Sequence, residues 1–469
     1  MFVTIVSFVV LLLVLIFVHE LGHFLAAKLL GVRVERFSLG FPPKIYARKI
    51  GETVYQVCWL PLGGFVKLFG EESGKDIPVA EQSRSFSHKP TWVKIIIVFA
   101  GPFFNILFSI VTLWLLSWSL GVQHLPTAVG PLSPDGPAAK AGLATGDVIE
   151  SIDGTPILYF DQIEEFMEAS GGSELTLGVR RGEETIEFTV TPTRHEGKDM
   201  LGDPLGYWSL GLRPMTKPVI GHVINGKPAD KAGLKRGDLV IAIDDKPIND
   251  WDQLVEIVKG PVEQRELETL PPAKELKMTV IRDGQEIELR MTPLPDGMQD
   301  LEGVTRYTYM VGVAVQPTIL VEPIGPATAF HYGVTDTYRT VELTFVTLRK
   351  IISQKISAKL MGGPIMIAEV AGRKIQDGLA EFISMMTLIS VNLAIINLVP
   401  LPVLDGGQIL IFLIEGLRRK PINQRVKEVT QLVGVAALFA LMILVFYNDI
   451  SRIVTRMSGP PTTQTQTLE

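Results

Sequence analysis

The sequence has little cysteine and no basic residue near its start. Its 469 residues include one cysteine, Cys58, so no disulfide can form within the chain and a cysteine-rich metal site is excluded. No Lys or Arg precedes Lys28, whereas a cleaved signal peptide would begin with a basic region. The net charge of −6 does not favour a nucleic-acid partner. We expect Cys58 to be a small residue of the core.

Hydrophobic residues are abundant and occur in long runs. They make up 47% of the chain, and the mean hydropathy is +0.29 although 20% of the residues are charged. This mixture predicts membrane spans joined to soluble modules. Four apolar segments are long enough to cross a lipid bilayer, namely 1–27, 92–120, 380–405 and 429–447. We therefore predict a membrane α-helical core of four transmembrane helices.

The basic residues indicate how these helices are oriented. Residues 28–91 contain ten Lys and Arg, and residues 402–428 contain five. The positive-inside rule places both loops in the cytoplasm, so the termini and the long segment 121–375 lie outside. Arg452 and Arg456 favour the opposite orientation, but they are fewer.

The segment between the second and third spans contains an internal repeat. "PAAKAGLATGDVIESIDGTPI" (137–157) matches "PADKAGLKRGDLVIAIDDKPI" (228–248), and a Pro- and Glu-rich insertion around "PVEQRELETLPP" is predicted to be a loop. The AGL-x-x-GD pattern resembles the PDZ domain in its bacterial arrangement, which implies two α+β PDZ domains at 125–215 and 216–317. PDZ domains bind extended chain ends at a sheet edge. A purely structural pair of modules is the alternative.

The first apolar segment ends in "HELGH", which places His19 and His23 four residues apart on one face of a helix. H-E-x-x-H is the zinc signature in which the Glu, here Glu20, is the general base that activates water. A hydrogen-bonded pair of core histidines, or a proton or metal path, remains an alternative. At 1.5 Å per residue, His19 lies about 27 Å along the helix, near the predicted cytoplasmic side.

A second polar cluster occurs at membrane depth in "NLVPLPVLDGGQ" (397–408). Catalytic zinc usually takes three protein ligands, so two histidines need a further one. Asp405 follows two prolines and precedes two glycines, so the helix must be interrupted there. Irregular backbone at this depth is tolerated where it is buried or lines a polar cavity. A turn in a cytoplasmic loop is the alternative for Asp405.

Together, "HELGH" and N-x-x-P-x-P-x-L-D-G-G resemble the site-2 protease family of intramembrane zinc metalloproteases, and the tandem PDZ modules resemble its regulator-of-sigma-E branch. "SLGF" (38–41), "GGFVK" (63–67) and "GPFFN" (101–105) resemble it as well. The resemblance implies one Zn²⁺ per chain held by His19, His23 and Asp405, with Glu20 as base. It also implies a bacterial inner-membrane location and substrate-binding residues, which are Asn397, Asn392, Pro400, Pro402, Gly63, Gly64 and Phe65.

Two further segments are predicted to meet the membrane. The family resemblance places a membrane-associated β-hairpin within 28–91, around "GGFVKLFGE" (63–71), where an unwound substrate strand could pair. An ordinary cytoplasmic hairpin is the alternative. Residues 323–375 form an amphipathic segment, and one helical face contains Val341, Phe345, Leu348, Ile352 and Ile356. We expect this segment to lie on the outer leaflet or to pack under the PDZ pair.

The resemblance implies a protease that cuts transmembrane segments of single-span proteins, such as an anti-sigma factor or a remnant signal peptide. The PDZ pair would either capture new chain ends or exclude substrates with bulky outer domains. The alternatives from other classes are a non-catalytic PDZ membrane scaffold, which would need neither Glu20 nor Asp405, and a metal transporter.

Overall fold

The computed structural model describes residues 2–71, 77–199, 201–260, 272–299 and 305–458. The chain divides into two compact units. The first, called here the helical unit, comprises Met1–Gly121, Ile324–Gln354 and Met361–Ser451. The second, called the repeat unit, comprises Val122–Pro323, Lys355–Leu360 and Arg452–Glu469. The predicted Pro- and Glu-rich insertion lies almost entirely outside the described residues.

The described residues contain the following α-helices: α1 (Phe2–Leu29), α2 (Thr91–Leu120), α3 (Pro137–Lys140), α4 (Phe160–Ser170), α5 (Pro228–Lys231), α6 (Trp251–Lys259), α7 (Pro326–Ile352), α8 (Pro364–Asp377), α9 (Leu379–Asn397), α10 (Asp405–Arg418) and α11 (Gln424–Ser458). The strands are β1 (Val34–Ile50), β2 (Thr53–Leu68), β3 (Val122–His124), β4 (Val148–Ile152), β5 (Thr155–Pro156), β6 (Leu175–Arg181), β7 (Glu184–Val190), β8 (Thr193–Lys198), β9 (Pro204–Ser209), β10 (Ile220–Val223), β11 (Leu239–Ile243), β12 (Lys246–Pro247), β13 (Leu276–Arg282), β14 (Gln285–Met291), β15 (Leu294–Gln299), β16 (Thr305–Met310), β17 (Val313–Val315) and β18 (Leu320–Glu322).

Among the described residues, four helices of the helical unit are long and apolar enough to cross a membrane: α1, α2, α9 and α11. They correspond to the four predicted spans. α9 ends at Asn397, eight residues before the predicted boundary, and α10 starts at Asp405. The early end follows from Pro400 and Pro402, because proline cannot continue a helix and disfavours helical backbone in the residue before it.

β1 and β2 form a bent hairpin whose four paired segments make a mixed sheet, in which 36–39 run parallel to 54–57 and the other pairs are antiparallel. Residues 34–39 pair on one side with 54–57 and on the other with 64–68, so Ser38 faces both Gln56 and Phe65. Residues 44–50 pair with 53–58. Cys58 is buried in this sheet, as expected, with its Sγ 3.6 Å from the Ser38 Oγ. Segment 64–68 is next to α1, which is the helix of the HELGH motif.

The amphipathic segment 323–375 contains α7 and α8, which are separated by irregular backbone and a single 3-10 turn. The predicted face extends too far, because α7 ends at Ile352 and Ile356 is buried beyond the helix. α7 packs against α2, where a Cβ on Gly333 would be 2.8 Å from the Ile110 carbonyl oxygen. The Trp114 indole also donates to the Pro326 carbonyl at 2.9 Å. Helix packing thus accounts for one face of α7.

The repeat unit contains two modules with the same element order. The sheets are β5-β4-β6-β7 in the first and β12-β11-β13-β14 in the second. In each module a short helix precedes the first of these strands along the chain, and a longer helix connects the second to the third. Gly142 and Gly233 of the two AGL motifs have positive φ angles of 95° and 83°, as expected after a helix end. Each module has its own apolar core.

The turn that follows AGL contains a buried aspartate in each module. Asp147 accepts from the Ala144 amide at 2.8 Å and from Arg181. Asp238 accepts from the Lys235 amide at 2.8 Å and from Arg282. The aspartate therefore ties the turn to β6 in the first module and to β13 in the second.

Candidate metal centre

α1 and α10 bring together the predicted ligands. His19 and His23 lie one turn apart on α1, with their Nε2 atoms 3.2 Å apart and their rings nearly perpendicular. Asp405 is the first residue of α10, and its Oδ2 lies 3.2 Å from the His19 Nε2 and 3.6 Å from the His23 Nε2. Among the described residues, these three form the one group of His, Cys, Asp or Glu suited to a metal ion.

The two glycines after Asp405 explain how the start of α10 reaches the histidines. A Cβ on Gly406 would be 2.2 Å from the Leu398 carbonyl oxygen, and one on Gly407 would be 2.0 Å from the Leu401 carbonyl oxygen. Any larger residue would push the first turn of α10 away from the loop after α9. The "DGG" sequence is therefore a steric requirement for placing the Asp405 carboxylate.

α2 packs closely against α1, the helix that contains His19 and His23. A Cβ on Gly22 would be 2.2 Å from the Ala100 carbonyl oxygen, and one on Gly101 would be 2.4 Å from the His23 Nε2 and 2.8 Å from the His19 Cε1. The His23 Nδ1 lies 2.9 Å from the Ile97 carbonyl oxygen, to which it donates. That bond leaves the lone pair of the His23 Nε2 facing the cluster. The "GPFFN" motif by itself does not indicate this role for Gly101.

The geometry of the three side chains fits zinc. Zinc bonds of about 2.0–2.1 Å in a tetrahedral arrangement separate ligand atoms by about 3.3 Å, and the separations here are 3.2, 3.2 and 3.6 Å. The Asp405 Oδ2 is buried and accepts no hydrogen bond from the described residues. Such an atom is costly unless it meets a cation. Two imidazole nitrogens and one carboxylate oxygen also match the donor set of catalytic zinc sites.

Glu20 lies beside this group and is 9% exposed. A Cβ on Gly64 would be 3.0 Å from the Glu20 Cγ and 2.8 Å from Ile16, so the edge segment of the hairpin touches the glutamate. The carboxylate is therefore held next to the ligands without being one of them, a position suited to proton transfer.

Most of the other predicted site residues lie in two places, the segment from Asn397 to Pro402 before α10 and the β-hairpin. The Asn397 Nδ2 lies 3.5 Å from the His19 Nε2, and Pro400 and Pro402 lie in the loop that leads to Asp405. Gly63 packs against the Phe41 ring, and Phe65 follows Gly64 on the edge segment.

Asn392 is not brought to the cluster. Its Oδ1 instead accepts from the Thr344 hydroxyl of α7 at 2.7 Å. Asn392 and Asn397 are five residues apart, which turns their side chains about 140° from each other on a helix. Asn397 therefore lies at the metal centre and Asn392 against α7, and a role for Asn392 in substrate binding stays a prediction.

Comparisons with known proteins agree with this geometry. Residues 7–441 match the family model of "Peptidase family M50". A Neisseria meningitidis protein whose name assigns it to the zinc metalloproteases is 33% identical over 469 residues, covering 96% of this chain and 99% of that protein. The "Regulator of sigma-E protease RseP" of Salmonella typhimurium is 32% identical over 462 residues, covering 95% and 98%.

Among solved structures, the PDZ domain of an SdrC-like protein from Listeria monocytogenes covers 19% of this chain and 85% of its own, with 20% identity and a TM-score of 0.15. That score is too low to identify a fold, so the PDZ assignment rests on the repeated sequence motif. The family match extends over nearly the whole chain and confirms the predicted resemblance. The chain belongs to peptidase family M50, the site-2 proteases.

Proposed function

We propose that this chain is an intramembrane zinc endopeptidase that cuts the transmembrane segments of single-span membrane proteins. The main support is that the donor atoms of His19, His23 and Asp405 converge beside Glu20. The two histidines and Glu20 lie on α1, which is apolar enough to span a bilayer. Polar side chains at this depth are expensive and are expected only where they have a function.

The residues divide the chemistry among them. His19, His23 and Asp405 would hold the zinc ion. When bound, zinc supplies a Lewis acid that polarises a carbonyl and makes water acidic enough to be deprotonated near neutral pH. Glu20 would accept a proton from the attacking water and deliver it to the leaving amine. The Asn397 Nδ2 is placed to donate to the oxygen of the scissile carbonyl.

A substrate helix has to unwind before it is cut, since its carbonyls are already hydrogen-bonded within the helix. The edge segment 64–68 pairs with 34–39 on one side, and Gly64 lies against Glu20. We propose that an unwound substrate strand adds to this edge, as in other β-strand additions. The absence of a side chain at Gly64 would let the substrate backbone approach the general base.

For the natural substrate, we propose an anti-sigma factor that spans the membrane once, because a relative similar over nearly its full length is named a regulator of sigma-E protease. Remnant signal peptides are a second proposed class of substrate, because they too present an apolar helix that ends near the cytoplasmic side.

We place the protein in a bacterial inner membrane, with the repeat unit and both termini in the periplasm and the metal centre near the cytoplasmic side. The support is the excess of Lys and Arg in residues 28–91 and 402–428. A reporter inserted after Lys75 should be cytoplasmic, and one inserted between β8 and β9 should be periplasmic. The reverse pattern would contradict this topology.

The repeat unit is proposed to act as a size filter. Steric exclusion of bulky outer domains requires no ligand-induced change, whereas capture of a chain end requires binding energy that differs between two states. β3 and β18 pair, with His124 opposite Leu320, so a short linker can replace residues 125–317. This deletion should permit cleavage of untrimmed substrate. Loss of cleavage of trimmed substrate, with zinc retained, would instead favour capture and activation.

The decisive experiment compares metal content and proteolysis in the same purified sample. The full chain in detergent should contain one zinc per chain and cleave a substrate that carries a single transmembrane segment. A chelator should abolish cleavage, and added zinc should restore it. A scaffold would show neither property, and a metal transporter would bind metal without cleaving.

A further inference from the structure

Asn105 is a buried polar residue of α2 whose role the proposed chemistry leaves unexplained. It lies one turn after Gly101, and its exposure is 0%. Its Nδ2 is 3.3 Å from the His19 Nδ1, and its Oδ1 has no hydrogen-bond partner among the described residues. A buried amide oxygen without a partner costs free energy, and an apolar residue would avoid that cost if packing were its only role.

The metal centre determines where the hydrogen on His19 must be. The His19 Nε2 faces both the His23 Nε2 and the Asp405 Oδ2 at 3.2 Å, so it is the atom that would bind zinc. A neutral imidazole has one N–H, so the hydrogen of His19 then lies on Nδ1. An Nδ1–H that faces the Asn105 amino group would bring two donors together. Rotation of the carboxamide by 180° presents Oδ1 to that N–H instead.

We propose that Asn105 is a positioning residue that accepts a hydrogen bond from the His19 Nδ1–H and so fixes the ring for zinc binding. The inference rests on the proposed zinc site. It gives His19 the same kind of support that the Ile97 carbonyl gives His23. Ile97 and Asn105 are eight residues apart on α2, so one helix would orient both histidine ligands. Metal-bound histidines usually donate their second N–H in this way.

The backbone of Asn105 is itself held in place. Its carbonyl oxygen accepts from the Ser109 hydroxyl at 3.1 Å and from the Ser390 hydroxyl of α9 at 2.9 Å. Two hydroxyls from two helices therefore fix the position from which the side chain reaches His19. A rigidly held Asn105 would keep the His19 ring oriented for the metal even when no substrate is bound.

The test measures zinc affinity of the full detergent-purified chain by competition with a chelator. Asn105→Leu keeps the size of the side chain and removes the acceptor, and we expect affinity to fall 10–100-fold. Asn105→Asp restores an acceptor and should bind zinc within a few-fold of the wild type. Thr337→Val is the control, because Thr337 is also buried in the helical unit but bonds within its own helix. It should leave zinc affinity unchanged.

Cobalt substitution provides a second measurement that a packing defect would not alter. The visible spectrum of bound Co²⁺ should change in Asn105→Leu and resemble the wild type in Asn105→Asp. Wild-type affinity in Asn105→Leu, or equal losses in Asn105→Leu and Thr337→Val, would overturn this inference alone. A wild-type chain that binds no zinc would overturn the proposed function and this inference with it.

Discussion

Asp147 and Asp238 of the repeat unit are each 1% exposed and are held by an arginine and a backbone amide, whereas the Asp405 Oδ2 of the helical unit is buried without a hydrogen bond. Arg181 lies 2.8 Å from Asp147, and Arg282 lies 2.6 Å from Asp238. The first two carboxylates are satisfied by their own module. The third faces two imidazole nitrogens and needs a cation.

The helical unit can also provide hydrogen bonds to a buried carboxylate. Asp449 of α11 is 2% exposed and accepts from the Gly363, Ile365 and Met366 amides at the start of α8. A satisfied buried carboxylate is structural, and one with an unsatisfied oxygen among histidines indicates a functional site. Substitutions at the two kinds of carboxylate should therefore have separable effects on stability and on metal binding.

The largest effect is expected from removing a ligand. Asp405→Ala and His23→Ala should each lose zinc and all measurable cleavage, because two remaining protein ligands are too few for a catalytic site. Metal analysis of the purified chain and a transmembrane-substrate assay measure both. Asp449→Asn is the matched control, since it keeps an acceptor for the α8 amides, and it should retain zinc. Full zinc content in Asp405→Ala would contradict the assignment of that ligand.

The second-largest effect is expected from removing the proposed base while all three metal ligands are kept. Glu20→Gln should keep zinc at the wild-type ratio and slow cleavage by about 10²–10⁴-fold, the range for loss of general acid–base catalysis. The glutamine keeps the size of the side chain that touches Gly64. Single-turnover rates with excess enzyme measure the change directly. Wild-type cleavage by this variant would remove Glu20 from the mechanism.

The pattern of the sequence predicted which side chains come together better than it predicted their surroundings. The i, i+4 spacing of His19 and His23 fixes their common face, and the need for a third ligand pointed to Asp405. Spacing within one helix gave no information about α2, so the contacts of Gly101 and Asn105 with His19 required the packed structure. The contact of Asn392 with Thr344 likewise required the packed structure, because it depends on how α7 packs against α9.

A third prediction tests the satisfied carboxylates. Arg282→Ala leaves Asp238 buried without its charge partner and should lower the free energy of unfolding of the second module by about 3 kcal/mol, near the low end for breaking a buried pair, since Arg282 is partly exposed. Pulse proteolysis of the full chain measures this loss. Arg290→Ala, at an exposed pair with Glu275, should change stability by less than about 1 kcal/mol. Zinc content should stay at the wild-type value in both.

The smallest effect is a pH dependence confined to the repeat unit. The Arg181 hydrogen bond lowers the pKa of Asp147 despite burial. Burial raises the pKa of Asp238, but bonds from Arg282 and the Lys235 amide outweigh it and the net pKa is lowered. A carboxyl whose pKa is lower in the folded state stabilises above its unfolded value of about 3.9. That stabilisation is lost as the pH falls through the folded value.

Module stability, measured by hydrogen exchange in the full chain, should therefore be insensitive to these two groups between about pH 5 and 7 and fall below about pH 4. The double variant Asp147→Asn, Asp238→Asn should be less stable at pH 7 and lose less on acidification, because neither residue can then take up a proton. An acid-induced loss of the same size in this variant and in the wild type would show that other groups cause it. The satisfied aspartates would then differ from Asp405 in their hydrogen bonds but would not account for the acid sensitivity of their modules.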